Sequence, residues 1–119
     1  MAPLSTPIFQ ILLSLIDDDA HGYALIQGIR ERTDGEVDLT ASTLYAAVKR
    51  LVDSGWIEEI TKRTKAGNGD PRRRYYRITA EGRAAAREEA ERLERTLVMA
   101  RERRLLSGIR TPTMAKGRP

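Results

Sequence analysis

The chain has 119 residues, enough for one core of ordinary size, and its 40% hydrophobic and 32% charged residues suit a small helical protein with a large polar surface rather than a disordered chain. Its formal net charge is +4, and without any cysteine it has no disulfide framework, no thiolate metal site and no thiol nucleophile. No leader-like start precedes the first apolar stretch, and that stretch, Ile8 to Ile16, is broken by Gln10 and Ser14 and too short to cross a bilayer, so a cytoplasmic protein without a membrane partner is expected.

The first predicted element is a helix over Pro7 to Ile16. Ile8, Leu12 and Leu15 share one of its faces, and Phe9, Leu13 and Ile16 share the adjoining one. A helix apolar around so much of its girth needs cover from more than one side. Asp17-Asp18-Asp19 ends it; three consecutive acids point in different directions, which suits a solvated turn and not a hydrolytic cluster. A second helix is expected from Gly22 to Arg32, with Tyr23, Leu25, Ile26 and Ile29 facing inward and Thr33-Asp34-Gly35 closing it. His21, the single histidine, has no cysteine or second histidine with which to build a metal site, so its place is the start of this helix.

Thr40 is the expected cap of a third helix, with Leu39 and Leu44 at the spacing of a hydrophobic staple. Leu44, Val48 and Leu51 then define a buried face, and Ser42, Tyr45, Ala46 and Lys49 point the opposite way. Ser54-Gly55 stops the helix. From Trp56 the period changes to that of a strand running to Arg63, followed by turn residues that include Asn68-Gly69. A return strand is expected over Arg72 to Thr79, which makes a β-hairpin with a basic tip. Thr79 caps a last helix from Ala80 to about Leu106, along which Ala86, Ala90, Leu93, Leu97 and Ala100 keep a 4-3-4-3 spacing suited to another helix. Residues 107–119 carry no periodicity and are expected to be a disordered basic tail.

The charge follows this order. Residues 1–39 hold 2 basic and 7 acidic side chains, residues 40–79 hold 9 and 4, and residues 80–119 hold 10 and 6. A polyanion would therefore meet the middle of the chain and not its start. Three helices followed by a two-stranded wing is the order of a winged helix-turn-helix, in which the third helix enters the major groove. The expected fold is mainly α with a small β-hairpin: a winged helix-turn-helix DNA-binding domain over 1–79 and a C-terminal dimerisation helix over 80–106. On the third helix Ser42, Tyr45 and Lys49 would meet bases or phosphates, and Thr40 and Thr43 would meet phosphate at its positive end. Lys62, Arg63, Lys65, Arg72, Arg73 and Arg74 of the wing would lie along the backbone or minor groove. At the start of the second helix, His21, Gly22 and the hydroxyl end of Tyr23 would lie close to phosphate.

Ser42-Thr43-Leu44-Tyr45-Ala46-Ala47-Val48-Lys49-Arg50-Leu51 with Gly55-Trp56-Ile57 resembles the recognition helix and turn of PadR-type transcriptional regulators, with Val48 where leucine is usual. Ile11-Leu12-Leu13-Ser14-Leu15 followed by His21-Gly22-Tyr23-Ala24-Leu25 is similar to that family's first two helices. Arg73-Arg74-Tyr75-Tyr76-Arg77-Ile78-Thr79-Ala80-Glu81-Gly82 is similar to its wing and exit. The resemblance spans about Ile8 to Leu106. It implies a homodimer held by the long last helix, a repressor on a two-fold operator of double-stranded DNA, and a small-molecule effector in the dimer interface. A winged-helix module that docks an acidic protein and reads no sequence is the alternative reading. No nucleophile–base set, phosphate-cradling glycine loop or metal-ligand cluster suggests an enzyme or a cofactor.

Overall fold

The computed structural model describes residues 2–61 and 74–106. Its order is α1 (Thr6–Asp17), β1 (Ala20–His21), α2 (Gly22–Arg32), α3 (Ala41–Asp53), β2 (Ile57–Ile60), β3 (Tyr75–Ile78) and α4 (Ala80–Glu102). The chain divides into two compact units, Met1–Glu89 and Ala90–Pro119. In the first, α1, α2 and α3 surround one core, closed on one side by a small antiparallel sheet of order β1-β3-β2.

Local chemistry sets most boundaries. Ser5 caps α1 by accepting the Ile8 N–H at 3.4 Å, and Pro7 occupies the first turn, where a missing N–H costs nothing. Thr40 caps α3 by accepting the Thr43 N–H at 3.1 Å. Gly35 (φ 82°) and Gly55 (φ 77°) take the left-handed turns that end α2 and α3, with the Gly35 N–H donating to Arg30 O at 2.8 Å and the Trp56 N–H to Leu51 O at 3.0 Å. Ile11, Leu12, Leu25, Ile29, Leu44, Leu51 and Ile57 are fully enclosed, and burying each such side chain is worth about 1.5–3 kcal/mol. On α3, Leu44, Ala47, Val48 and Leu51 face the core at the expected helical spacing.

Three expectations change. The wing is a three-stranded sheet and not a lone hairpin: Ala20 and His21 pair with Tyr76 and Tyr75 along the free edge of β3. Two residues are too few to show a period, so nothing local announced that strand. Tyr23, expected inward, is 62% exposed, with its ring beside that of His21. On the adjoining face of α1, Phe9 packs against the core, while Leu13 and Ile16 are exposed. The last helix ends at Glu102, with Arg104 in a left-handed conformation (φ 63°) just beyond it. The Asn68-Gly69 turn and the tail over 107–119 lie outside the described residues.

In the first turn of α4, Thr79 accepts the Gly82 N–H at 3.0 Å and donates to Gly55 O at 2.7 Å. Gly82 passes directly beneath the Trp56 carbonyl; a Cβ there would collide with that oxygen and come within 2.9 Å of Ile78 Cγ1. Further along, Glu89 is buried, and its Oε1 accepts the Leu4 N–H at 3.2 Å, tying the N-terminal segment to the helix.

Candidate nucleic-acid interface

The outer face of α3 carries Ser42, Thr43, Tyr45, Ala46 and Lys49, all exposed, opposite the buried Leu44-Val48-Leu51 face. The Thr40 hydroxyl donates to Thr43 Oγ1 at 3.0 Å while capping the helix, so the two hydroxyls stand together at its positive end. Lys49 reaches Asp53 Oδ2 at 3.3 Å, one turn on, and both side chains are well exposed. Such a pair contributes about 0.3–0.5 kcal/mol, so exchange of the carboxylate for a phosphate would meet little resistance.

The start of α2 lies against this helix. His21 caps it, its Nδ1 accepting the Ala24 N–H at 3.2 Å, and its ring meets Tyr75 edge-on with centroids 5.3 Å apart. Gly22 is buried under Tyr45: a Cβ placed on it would lie 2.7 Å from Tyr45 Cζ and closer still to the hydroxyl. Gly22 therefore has no side chain or open surface to present. Tyr23 is on the exposed side, its hydroxyl accepting the Gln27 Nε2–H at 2.7 Å and its ring parallel to His21 at 6.5 Å.

Just ahead of β3, Arg74 Nε lies 3.5 Å from Glu59 Oε2, with both side chains at least half exposed. Beneath them Tyr76 is buried, and burial raises its phenol above the usual tyrosine value, with Glu59 and Tyr45 adding to the rise and Arg74 opposing it. Lys62, Arg63, Lys65, Arg72 and Arg73 lie outside the described residues. Sequence reasoning missed the pair between Arg77 Nη2 and Asp19 Oδ2 at 3.2 Å, which joins the acidic turn after α1 to β3 across 58 positions. Only the unforeseen strand β1 brings those residues together. Among the described residues no group of acids and His21 is placed to hold a metal ion, and no helix is long and apolar enough to cross a membrane.

The structure thus brings Ser42, Thr43, Tyr45 and Lys49 onto one helix face with Thr40 at its cap, Tyr23 at the neighbouring helix start and Arg74 just ahead of β3. Residues 11–88 match the transcriptional regulator PadR-like family. An uncharacterized protein of Lysinibacillus sphaericus is 35% identical over 74 residues, which cover 62% of this chain and 65% of that protein. A transcriptional regulator from Clostridium thermocellum superposes with a TM-score of 0.69 at 30% identity, covering 83% of this chain and 96% of that one. A PadR family transcription regulator from Clostridium difficile has the same fold, with a TM-score of 0.70 at 24% identity over 82% and 97% of the two chains. With the family match covering well over half its length, the chain belongs to the PadR-like family of transcriptional regulators.

Proposed function

We propose that this protein is a dimeric repressor that binds a two-fold DNA operator through α3 and is released by a small molecule. The observation that carries the DNA reading is the polar face of α3, where Ser42, Tyr45 and Lys49 project from a helix whose other face is locked into the core. Hydroxyl, phenol and ammonium groups at the leading end of such a helix can donate to base edges and phosphates. Residues 40–79 hold 9 basic and 4 acidic side chains, which adds a sequence-independent hold on the backbone. Tyr23, and the arginine run Arg72-Arg73-Arg74 with Lys62 and Arg63, would supply further phosphate contacts, and Gly22 enters only through its backbone.

Exposed apolar side chains support the dimer. In the second unit Leu93, Leu97, Val98 and Met99 are uncovered, and in the first so are Leu13 and Ile16. A second copy is the partner that would bury them. The effector and the repressive outcome rest on the family resemblance.

Selection of bound fragments from random DNA, followed by gel-shift titration at several salt concentrations, tests the reading. Two related half-sites about one helical turn apart are expected. The log of the affinity should fall steeply with the log of the salt concentration. Recovery of no common sequence, with weak binding to every fragment, would sink it in favour of a module that docks a protein.

A further inference from the structure

We propose that Gly22 is a positioning residue for recognition: the absence of its side chain sets the pose of Tyr45 on α3, and with it the discrimination between operator and other DNA. The inference rests on the DNA-binding role proposed for α3. Gly22 begins α2, is buried, and has a normal helical backbone, so its conformation does not require glycine. What requires it is space. A Cβ on Gly22 would lie 2.7 Å from Tyr45 Cζ, closer to the Tyr45 hydroxyl, and 3.1 Å from Leu44 Cδ2.

Something must give if that space is filled, and the surroundings say what. The start of α2 is held on two sides, by the His21 cap on Ala24 at 3.2 Å and by the pairing of His21 with Tyr75 in the sheet. Leu44 is fully enclosed in the core. Tyr45 alone has freedom, being 47% exposed with its hydroxyl at the far end of the side chain. An added methyl therefore displaces the Tyr45 ring and leaves the fold standing. Gly82 shows the opposite case, since the atom facing it is the backbone carbonyl of Trp56, which cannot swing away.

This changes the part each residue plays. Gly22 offers no side chain to DNA, and Tyr45 leans on this first residue of α2, which limits the poses open to its ring. A base or phosphate contact made from that pose is lost when the ring moves, although every group needed for it is still present.

The test is a cycle of Gly22→Ala, Tyr45→Ala and the double variant, each confirmed folded by circular dichroism. The readout is the ratio of affinities for the selected operator and for random DNA of equal length. Gly22→Ala is expected to lower that ratio about tenfold, the size of one good base contact. In the Tyr45→Ala background the same change should cost less than about twofold, because the ring it displaces is gone. An equal loss in both backgrounds, or failure of Gly22→Ala to fold, overturns the proposal.

Tyrosine ring resonances give a readout that needs no DNA. The signals that vanish in Tyr45→Ala should shift in Gly22→Ala, and unmoved signals also overturn it. If the wild-type chain does not prefer any operator while the ring still shifts, the DNA-binding reading has failed and the steric link between the residues has not.

Discussion

The two halves of the last helix differ in what they bury. Over Ala80–Glu89 the buried positions are Gly82, Ala85, Ala86 and Glu89. Three of these four are small, which lets the helix approach the Trp56 carbonyl and Ile78 closely. Over Ala90–Glu102 no described residue is buried, and Leu93, Leu97, Val98 and Met99 are exposed. The spacing Ala86, Ala90, Leu93, Leu97, Ala100 runs through both halves without a break. Periodicity says that a face is apolar; residue size says how that face is used. Small residues suit close packing on the chain's own domain, and the leucines leave side chains large enough to bury substantial area against a partner.

That contrast can be broken deliberately. The largest effect is expected from Gly82→Ala, where a methyl group meets a backbone carbonyl: about 2–3 kcal/mol of stability should be lost in urea unfolding. On the dimer reading proposed above, changing Leu93 and Leu97 together to Glu should leave the helical signal in place while the sedimenting mass drops from dimer to monomer, and an unchanged mass would remove α4 from the proposed interface. Glu89→Ala leaves the partly buried Leu4 N–H without its acceptor and should cost about 1–3 kcal/mol, and Glu89→Gln, which keeps an acceptor oxygen, less; equal costs would mean that the acceptor is immaterial.

Thr79→Ala removes the cap of α4 and the bond to Gly55, for about 1 kcal/mol, readable as a lower urea midpoint at unchanged slope. The smallest effect concerns Tyr76. Its phenol titrates higher in the folded chain than the ordinary value of 10.0, so the neutral form is favoured by folding. That contribution is complete below pH 10.0 and is lost as pH rises from there through the raised value. Tyr76→Phe should flatten this alkaline decline in stability, and a decline of unaltered steepness would assign it to other groups.

Much of this arrangement was legible before any coordinates. Thr40 and Thr79 announced their helices because a hydroxyl that can take an orphan N–H is a local signal. Gly35 and Gly55 marked helix ends for the same local reason, and the Leu44-Val48-Leu51 spacing placed Ser42, Tyr45 and Lys49 outward by elimination. Tyr23 is misleading in sequence, because an aromatic three positions before Ile26 fits a core face, yet in the packed helix it is exposed. Gly22 opens the second helix in sequence, yet nothing local points to Tyr45 as what covers it, since the two lie 23 positions apart.

The sequence by itself therefore determined the order of the four helices and the two wing strands, the Thr40 and Thr79 caps, the Gly35 and Gly55 stops, the polar face of α3 and the concentration of positive charge after residue 39. These are properties of neighbours within a few positions along the chain, governed by helix and strand periods and by hydrogen bonds that close within one turn. Tertiary structure decided the third strand β1, the Asp19–Arg77 pair, the burial of Glu89 against Leu4, and the seat of Tyr45 on Gly22. Each of those joins residues far apart along the chain, and no period or cap can encode a contact that exists only once separate elements have packed.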